Sequence, residues 1–247
     1  MERHGPEASG DMKTGLNPFS SREGLAGCID HTLLTPLATR EDIERHCREA
    51  IAYGFYAVCV LPRWTALAAD LLRRERVQVV GLAGFPFGAD SPSIKMRQAR
   101  EAIMAGADEI DMVADLSAIL ERDAGRLAAD LMAVLRECCK MRPRVLLKVI
   151  IESAALTDEQ IVFACQICQQ VGVDFIKTST GFLPAGGATV HAVALMAESA
   201  PDCRIKAAGG IRTAQQALDM LAAGASRIGA SASVEILQTF DGGAGGS

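Results

Sequence analysis

A short pattern led by glycine occurs four times in the chain, and it restricts the possible fold more than any other feature of the sequence. In each copy a helical stretch ends at the glycine, and a run of alternating polar and apolar residues follows at once. The copies span residues 54–59, 106–111, 172–177 and 224–229. Glycine is favoured just past a helix, where the backbone turns left-handed. Each copy therefore predicts a helix that leads directly into a β-strand.

The same alternation of helix and strand continues between these copies. Runs rich in Val, Ile and Leu predict eight strands, at residues 27–34, 57–62, 78–85, 109–116, 144–153, 174–180, 203–210 and 227–231. N-cap boxes that begin at Thr39, Thr157 and Thr213 predict the starts of three intervening helices. Strands that alternate with helices form right-handed βαβ units in a parallel sheet. Eight units in 247 residues predict a closed (β/α)8 barrel, the TIM barrel, whose usual length is about 250 residues.

We expect the barrel to form one catalytic domain over residues 21–240. The N-terminal segment, residues 1–20, is polar, and the C-terminal segment, residues 241–247, is rich in glycine. Neither segment has the apolar periodicity of a packed element, so both are predicted to be flexible tails.

Charge and composition argue against several classes of partner. The net charge is −5 and aromatic residues make up 4% of the chain, whereas a nucleic-acid surface needs clustered Lys and Arg, usually with stacking aromatics. No run approaches the roughly 18 apolar residues of a membrane span, and the N-terminus lacks the apolar stretch of a signal peptide. We therefore expect a cytoplasmic protein that binds neither nucleic acid nor membrane.

The spacing of cysteine and histidine does not indicate a metal site. Cys165 and Cys168 form a C-x-x-C pair, but it lies inside a helical pattern with no second pair and no histidine nearby. The four histidines show no spacing typical of metal ligands. In a reducing compartment the eight cysteines are expected to be small core residues. Neither a metal ion nor another cofactor is expected.

Period-two alternation predicts which strand residues point into the barrel. In the four glycine-led copies the penultimate residue is apolar and faces the helices, which turns the last residue inward. Alternate strands of such a barrel share an interior layer. One layer is therefore expected to hold Cys59, Asp111, Lys177 and Gly229. The same alternation turns three further side chains inward, those of Lys148, Lys206 and Asp30.

The predicted interior is rich in charge. It contains three lysines and three carboxylates, which are Lys148, Lys177, Lys206, Asp30, Asp111 and Glu152. Structural ion pairs between the strands are one interpretation. An active site is the other, because active sites of this fold lie at the C-terminal ends of the strands. Buried charges are costly and apolar layers are cheaper to build, which favours the active site.

Neighbouring lysines favour chemistry in which an amine is the nucleophile. Lysine attacks a carbonyl only as the neutral amine, and its usual pKa of about 10.4 leaves it protonated near pH 7. Burial and a second ammonium both lower that pKa, and Lys177 and Lys206 lie on neighbouring predicted strands. With Asp111 as a proton relay, this set fits imine-based aldol chemistry. Alternation alone leaves open which lysine is the nucleophile.

Two loops at the same end of the barrel have the features of a phosphate site. One contains Gly209 and Gly210 after the seventh strand, and the other follows Gly229 after the eighth. Glycines expose backbone N–H groups, and a following helix N-terminus favours an anion. The glycines could instead serve only as tight turns. These two loops are nevertheless the frequent phosphate site of such barrels, which favours the binding interpretation.

At these residues the sequence resembles the deoxyribose-phosphate aldolase family, over nearly all of residues 24–237. The matching stretches are residues 29–34, 106–113, 148–152, 175–182, 206–212 and 227–231. Two of them are Lys-Thr-Ser-Thr-Gly from Lys177 and Lys-Ala-Ala-Gly-Gly-Ile-Arg from Lys206. Together and in this order, these two blocks are highly specific.

The resemblance implies roles for the candidate residues. Lys177 matches the lysine that forms a Schiff base with acetaldehyde, Lys206 the lysine that lowers its pKa, and Asp111 the proton-relay aspartate. Substrate contacts are implied for Asp30, Cys59, Lys148 and Thr178. Phosphate contacts are implied for Gly181, Gly209, Gly210, Gly229 and Ser231.

The implied reaction is the reversible cleavage of 2-deoxy-D-ribose 5-phosphate to D-glyceraldehyde 3-phosphate and acetaldehyde, in deoxyribonucleotide breakdown. The expected partners are this small phosphorylated sugar and the aldehydes. Because barrels of this kind often pair through their outer helices, we also expect a homodimer or a higher homo-oligomer.

The sequence departs from the family pattern at three positions. Asp115 stands where Asn is usual, Gln98 where Glu is usual, and Ala232 where a second Ser or a Gly is common. None of these positions is one of the two paired lysines or Asp111, so the implied reaction type is unaffected. A missing hydroxyl at Ala232 predicts slightly weaker phosphate binding, by about 0.5–1.5 kcal/mol.

Three other functions fit parts of the pattern. Another imine-forming aldolase or transaldolase would share the lysine and the phosphate loops, so substrate profiling is needed to separate the two. A non-catalytic barrel that senses a sugar phosphate would have no need for a lysine with a lowered pKa. A phosphate-handling isomerase or decarboxylase would not require paired lysines either.

Overall fold

The computed structural model describes residue 19 and residues 21–141 and 143–240. The predicted tails, residues 1–20 and 241–247, lie outside the described residues apart from Phe19. Within the described part of the chain, no helix has both the length and the apolar character needed to cross a membrane.

Eight strands alternate with helices from one end of the described chain to the other. The strands are β1 (Ile29–Leu33), β2 (Ala57–Val60), β3 (Gln78–Ala83), β4 (Glu109–Val113), β5 (Leu146–Ile150), β6 (Phe175–Lys177), β7 (Arg204–Ala208) and β8 (Ala225–Ala230). The helices are α1 (Arg22–Ala26), α2 (Arg40–Tyr53), α3 (Thr65–Leu71), α4 (Pro92–Met104), α5 (Leu116–Leu120), α6 (Ala124–Cys138), α7 (Asp158–Val171), α8 (Val190–Ser199), α9 (Ala214–Ala222) and α10 (Ser233–Gln238).

The strands pair in chain order and close into a barrel. All pairs are parallel, and β1 completes the ring by pairing with β8. The predicted (β/α)8 barrel is therefore confirmed. Most predicted strands extend beyond the observed strands at one or both ends, whereas β8 begins two residues earlier than predicted, at Ala225.

Local sequence signals explain where helices begin and end. Thr39, Thr157 and Thr213 each form a capping box in which side chain and backbone bond reciprocally. Gly54 and Gly172 end α2 and α7 in the left-handed conformation, with φ of 71° and 83°. These glycines free the chain to turn straight into the next strand, as the repeated pattern predicts.

The hydrophobic core has two parts. The larger part lies between the strands and the surrounding helices, and it is built from Ile, Val, Leu and Ala side chains. A smaller part lies inside the barrel, where the inward side chains of β2 and β3 meet Leu34. The inner part consists of Leu34, Ala57, Cys59, Val80 and Leu82. Charged side chains from the other strands share the barrel interior with this apolar part.

Candidate active site

Asp111 is the centre of the ionic part of the barrel. Its side chain on β4 is fully buried, and three lysines from the next three strands converge on it. The amine of Lys148 lies 2.8 Å from Oδ1, and the amines of Lys177 and Lys206 lie 2.8 and 2.9 Å from Oδ2. Lys206 also hydrogen-bonds to Asp30 on β1. The structure thus brings together the three residues that the sequence predicted as catalytic.

Two further charged residues extend this cluster towards the N-terminal end of the strands. Glu109 lies two residues before Asp111, and its Oε2 is 2.6 Å from the amine of Lys148. Arg227 on β8 bonds through Nη1 to Asp30 at 2.9 Å and to Glu109 at 3.1 Å. Four cations and three carboxylates therefore share one connected network, referred to here as the barrel cluster.

The amine of Lys177 has one carboxylate neighbour in this network, and it is the lysine that lines the open cavity above the cluster. Burial lowers the pKa of Lys177, and the ammonium of Lys206 lowers it further. The carboxylate of Asp111 acts in the opposite direction without cancelling these effects. The pKa of Lys177 therefore lies below its usual value.

Lys206 differs from Lys177 because it has two carboxylate neighbours. Burial acts to lower the pKa of Lys206, but the carboxylates of Asp111 and Asp30 outweigh burial and raise it above its usual value. Burial acts to raise the pKa of Asp111, but the three lysines hold it well below the usual range. The geometry thus gives one amine that loses its proton more readily than an ordinary lysine and a neighbour that holds its proton more tightly.

Two other predicted site residues, Cys59 and Thr178, are buried and form no ion pair in the barrel cluster. Cys59 is fully buried in the apolar part of the interior, and burial raises the pKa of its thiol to about 11. The hydroxyl of Thr178 donates to the carbonyl oxygen of Ala208 and accepts from its N–H, at 2.8 and 2.9 Å. Thr178 is fully buried and ties the end of β6 to β7.

The expected third interior carboxylate does not join the lysines. Glu152 follows the end of β5, and its Oε1 accepts from the backbone N–H of Thr180 at 2.7 Å. Its backbone is left-handed, with φ of 56°, an uncommon conformation for a residue other than glycine. Glu152 therefore fixes the loop after β6, and Glu109 supplies the third carboxylate of the cluster.

A cavity of about 520 Å³ opens above Lys177 at the C-terminal end of the strands. The predicted phosphate residues all line it, and these are Gly181, Gly209, Gly210, Gly229 and Ser231. Arg212 lines the same cavity and adds a positive charge that the sequence interpretation did not assign to the site. The cavity therefore has an amine at its floor and glycine-rich loops with a cation at its wall.

Glycine at position 209 is required by a close approach of two loops. Its carbonyl oxygen accepts from the N–H of Ala188 at 3.0 Å, and a Cβ on Gly187 would lie 2.2 Å from that oxygen. A Cβ on Gly209 itself would lie 2.4 Å from Oγ of Ser179. Because neither position tolerates a side chain, the loops after β6 and β7 pack together as one wall of the cavity.

The three departures from the family pattern lie away from the barrel cluster. Asp115 caps α5 and pairs with Arg126 at 3.0 Å. Gln98 accepts from the N–H of Gly84 at 2.6 Å. Ala232 lies next to Ser231 at the cavity and provides no side-chain cap for α10. Only the last departure is close to the predicted phosphate site.

One group of possible metal ligands does occur among the described residues, although histidine spacing did not predict it. The candidate ligand atoms of His31, His46 and Glu49 lie within 4.8 Å of one another, between β1 and α2. The two rings stack with centroids 3.7 Å apart, whereas an imidazole binds a metal ion through a lone pair in the ring plane. Nε2 of His31 lies 3.1 Å from Glu49, and Nε2 of His46 lies 3.0 Å from the carbonyl oxygen of His31. This geometry fits helix–strand packing better than metal binding.

Glu109 and Arg227 are functional candidates that the sequence interpretation missed, and alternation could have found them. Glu109 lies two residues before Asp111 and Arg227 two residues before Gly229, so both share the inward direction. They lie deeper in the barrel, away from the end where active sites of this fold lie, and the sequence interpretation therefore did not assign them to the site.

Comparison with known proteins identifies the family of the chain. A family model described as DeoC/LacD family aldolase matches residues 25–241. The chain therefore belongs to the DeoC/LacD family of aldolases, and it is an enzyme of the carbon–carbon lyase class.

Several relatives carry a more specific name. Deoxyribose-phosphate aldolase 1 of Bacillus licheniformis is 46% identical over 87% of this chain and 95% of its own length. The deoxyribose-phosphate aldolase of Thermococcus kodakarensis is 46% identical over 88% of this chain and 97% of its own length. The solved structure of the deoxyribose phosphate aldolase from Aeropyrum pernix, described as tetrameric, superposes with a TM-score of 0.82. It is 32% identical and covers 89% of this chain and 92% of its own.

Proposed function

We propose that the protein cleaves 2-deoxy-D-ribose 5-phosphate reversibly to D-glyceraldehyde 3-phosphate and acetaldehyde, through a Schiff base on Lys177. The observation that carries this proposal is the arrangement around Asp111. Three buried lysines share that carboxylate, and the one with the fewest carboxylate contacts lies at the floor of the cavity. The names of the relatives support the choice of substrate.

The first steps need a neutral amine and a nearby acid. The amine of Lys177 adds to the C1 aldehyde of the open-chain sugar and forms a carbinolamine, which loses water to give a protonated imine. A lysine pKa lowered by burial and by a second cation favours this attack, because it raises the fraction of neutral amine. Lys206, which keeps its proton, provides the positive charge next to it.

The carbon–carbon step needs a base and an electron sink. Removal of the C3 hydroxyl proton lets the C2–C3 bond break, its electron pair enters the imine to form an enamine, and glyceraldehyde 3-phosphate leaves. Protonation of the enamine at C2 and hydrolysis of the imine release acetaldehyde and restore the amine. Asp111 contacts both lysine amines and is placed to relay these protons, directly or through water.

The loops at the cavity wall suit the phosphate of this substrate. Backbone N–H groups near Gly209, Gly210 and Ser231, together with the guanidinium of Arg212, would hold the dianion while C1 reaches Lys177. Asp30 and Lys148 lie below the amine and, in this proposal, orient it through the network around Asp111.

The proposed reaction and the relatives also support proposals about the pathway, the cellular location and the oligomeric state. This reaction would place the protein in deoxyribonucleotide breakdown in the cytoplasm. The tetrameric description of the Aeropyrum pernix relative supports a homo-oligomer for this chain. Analytical ultracentrifugation would show a species larger than one chain; a single-chain mass at all concentrations would contradict this part.

Product analysis tests the proposed reaction. The purified protein should release equal amounts of acetaldehyde and glyceraldehyde 3-phosphate from 2-deoxyribose 5-phosphate, and Lys177→Met should abolish both. Lys140→Met is a matched control, since Lys140 is an exposed lysine outside the barrel. Turnover of other sugar phosphates in preference to 2-deoxyribose 5-phosphate would indicate a different aldolase. Binding without cleavage would indicate a sensor.

A further inference from the structure

The barrel cluster has more cations than carboxylates, and the excess is one. The cations are Lys148, Lys177, Lys206 and Arg227, and the carboxylates are Asp30, Glu109 and Asp111. Their side chains are at most 5% exposed. Because solvent hardly reaches these groups, a full set of four positive charges would leave one of them without a balancing charge in the interior.

Two members of the cluster lie below the lysine level and contact neither Lys177 nor the cavity. Arg227 lies near two aromatic rings, with its guanidinium 3.5 Å from the centre of the Tyr56 ring and 5.2 Å from that of Phe175. It bonds to Asp30 and Glu109, and Glu109 bonds to Lys148. The contacts of Arg227 and Glu109 therefore set how strongly the carboxylates of Asp30 and Glu109 are available to the lysines above them.

The three lysines differ in the number of carboxylates that they contact. Lys148 has Glu109 at 2.6 Å and Asp111 at 2.8 Å, and Lys206 bonds to both Asp30 and Asp111. Lys177 has only Asp111, whose carboxylate it shares with the other two. If one of the three amines is deprotonated, the loss of ion-pair energy is smallest for Lys177, because it contacts the fewest carboxylates.

We propose that Glu109 and Arg227 are positioning residues for the Schiff-base step: each offsets the charge of the other, so that the barrel cluster stays one carboxylate short of its cations and Lys177 is the uncharged amine. This inference rests on the proposed role of Lys177. Neither residue contacts the cavity, and both act through Lys148, Asp30 and Asp111.

The charged and titratable groups that surround Lys177 come from the strands and from the cavity wall. β3 presents only the apolar side chains of Val80 and Leu82 inward above Gln78. The groups on the other elements are Asp30, Cys59, Glu109, Asp111, Lys148, Lys206, Arg212 and Arg227. The thiol of Cys59 is uncharged near neutral pH, because burial raises its pKa to about 11. Changing the count of carboxylates or cations should therefore change the protonation of Lys177.

The test measures the pH dependence of imine formation with acetaldehyde, trapped with cyanoborohydride and quantified at Lys177 by peptide mass spectrometry. Glu109→Gln leaves four cations for two carboxylates, so the amine deprotonates more readily and the acid limb moves to lower pH. Arg227→Met leaves three cations for three carboxylates, so the acid limb moves to higher pH. Each shift should be about one pH unit, the size expected for one charge acting over about 10 Å at an effective dielectric constant of about 20.

The double variant Glu109→Gln with Arg227→Met separates charge count from loss of packing. It leaves three cations for two carboxylates, so the excess is again one and the acid limb should return to its wild-type position. The outer pair Arg100–Glu137, joined by hydrogen bonds of 3.0 and 3.1 Å, provides matched controls. Glu137→Gln and Arg100→Met should leave the pH profile unchanged.

Opposite shifts in the single variants and recovery in the double variant support the inference. Equal profiles in all variants, or shifts in the same direction, would overturn it while wild-type trapping at Lys177 still supported the proposed function. Absence of trapping in the wild-type protein would instead contradict the proposed function. If Arg227→Met does not fold, Glu109→Gln and the double variant still give different expectations, a shift to lower pH for the first and the wild-type position for the second.

Discussion

Two regions of the protein bury lysines, and they do so in different ways. Between α4 and α6, Lys95 lies 2.8 Å from Asp130, and both side chains are almost completely buried. This pair has one cation for one carboxylate, and the same oxygen of Asp130 accepts from the N–H of Asp115 at 2.9 Å. In the barrel cluster, by contrast, Lys177 shares Asp111 with two other lysines.

The difference shows that burial alone does not prepare a lysine for catalysis. Lys95 extends beneath the loop after β3, where a Cβ on Gly84 would lie 2.9 Å from its Cε. Its carboxylate partner is dedicated, and the side chain of Lys95 is fully buried. Lys177 has a shared partner, an adjacent ammonium and an opening to substrate. An incomplete set of partners, together with access, distinguishes a reactive lysine from a structural one.

The largest expected effect comes from removing the shared carboxylate. Asp111→Asn should lower kcat/KM by about 10²- to 10⁴-fold, because the proton relay is lost and three lysines lose their common partner. Steady-state kinetics with 2-deoxyribose 5-phosphate measure it. The matched variant Asp130→Asn should lower stability but leave kcat/KM within a few-fold of wild type. Equal losses of activity in both variants would remove the distinction between the two regions.

Breaking the structural pair should affect folding rather than chemistry. Lys95→Met leaves the carboxylate of Asp130 buried without its cation, which typically costs about 3–5 kcal/mol of unfolding free energy. Urea unfolding measures the loss, and the pH profile of activity in the folded variant should not move. The double variant Lys95→Met with Asp130→Leu should recover part of the stability, because the buried charge is gone although the N–H of Asp115 loses its acceptor. A shifted pH profile in Lys95→Met would show that the two regions are coupled.

The stacked pair of His31 and His46 is a third buried polar site, and its protonation makes the stability of the fold depend on pH. Burial lowers the pKa of His31 to about 4 and that of His46 to about 3. Both histidines are thus neutral in the folded protein, whereas they take up protons near pH 6.5 when unfolded. Their contribution to stability is present above pH 6.5 and is lost as the pH falls towards 4 and 3.

The expected slope is about 1.4 kcal/mol per pH unit for each histidine in that window. Thermal or urea unfolding between pH 6.5 and 4 measures it. His46→Gln should give a shallower pH dependence than wild type. An unchanged slope would mean that the stacked histidines do not contribute to the acid sensitivity of the fold.

The smallest expected effect concerns the cavity wall. Ala232→Ser adds a hydroxyl beside Ser231 near the predicted phosphate loops. A single neutral hydrogen bond is worth about 0.5–1.5 kcal/mol, so KM for the phosphorylated sugar should fall by roughly 2- to 12-fold. The KM for unphosphorylated 2-deoxyribose should stay the same, and an equal change for both substrates would place the new hydroxyl away from the phosphate.

Much of this arrangement could be predicted from the sequence, because the governing signals are local. The glycine-led copies and the capping boxes predict the barrel, and period-two alternation predicts that Lys148, Lys177 and Lys206 point inward. Partners that come from distant segments could not be predicted in this way. The pairing of Lys95 with Asp130 depends on how α4 packs on α6, and the stacking of His31 on His46 depends on how α2 packs on β1.

Mapping of the trapped imine tests the central claim most directly. The protein is incubated with acetaldehyde, reduced with borohydride and digested, and the modified peptide is identified by mass spectrometry. We predict a single N-ethyl-lysine at Lys177, and none in Lys177→Met. Modification of Lys206 or Lys148 instead, or no modification while 2-deoxyribose 5-phosphate is still cleaved, would contradict the assignment of Lys177 as the nucleophile.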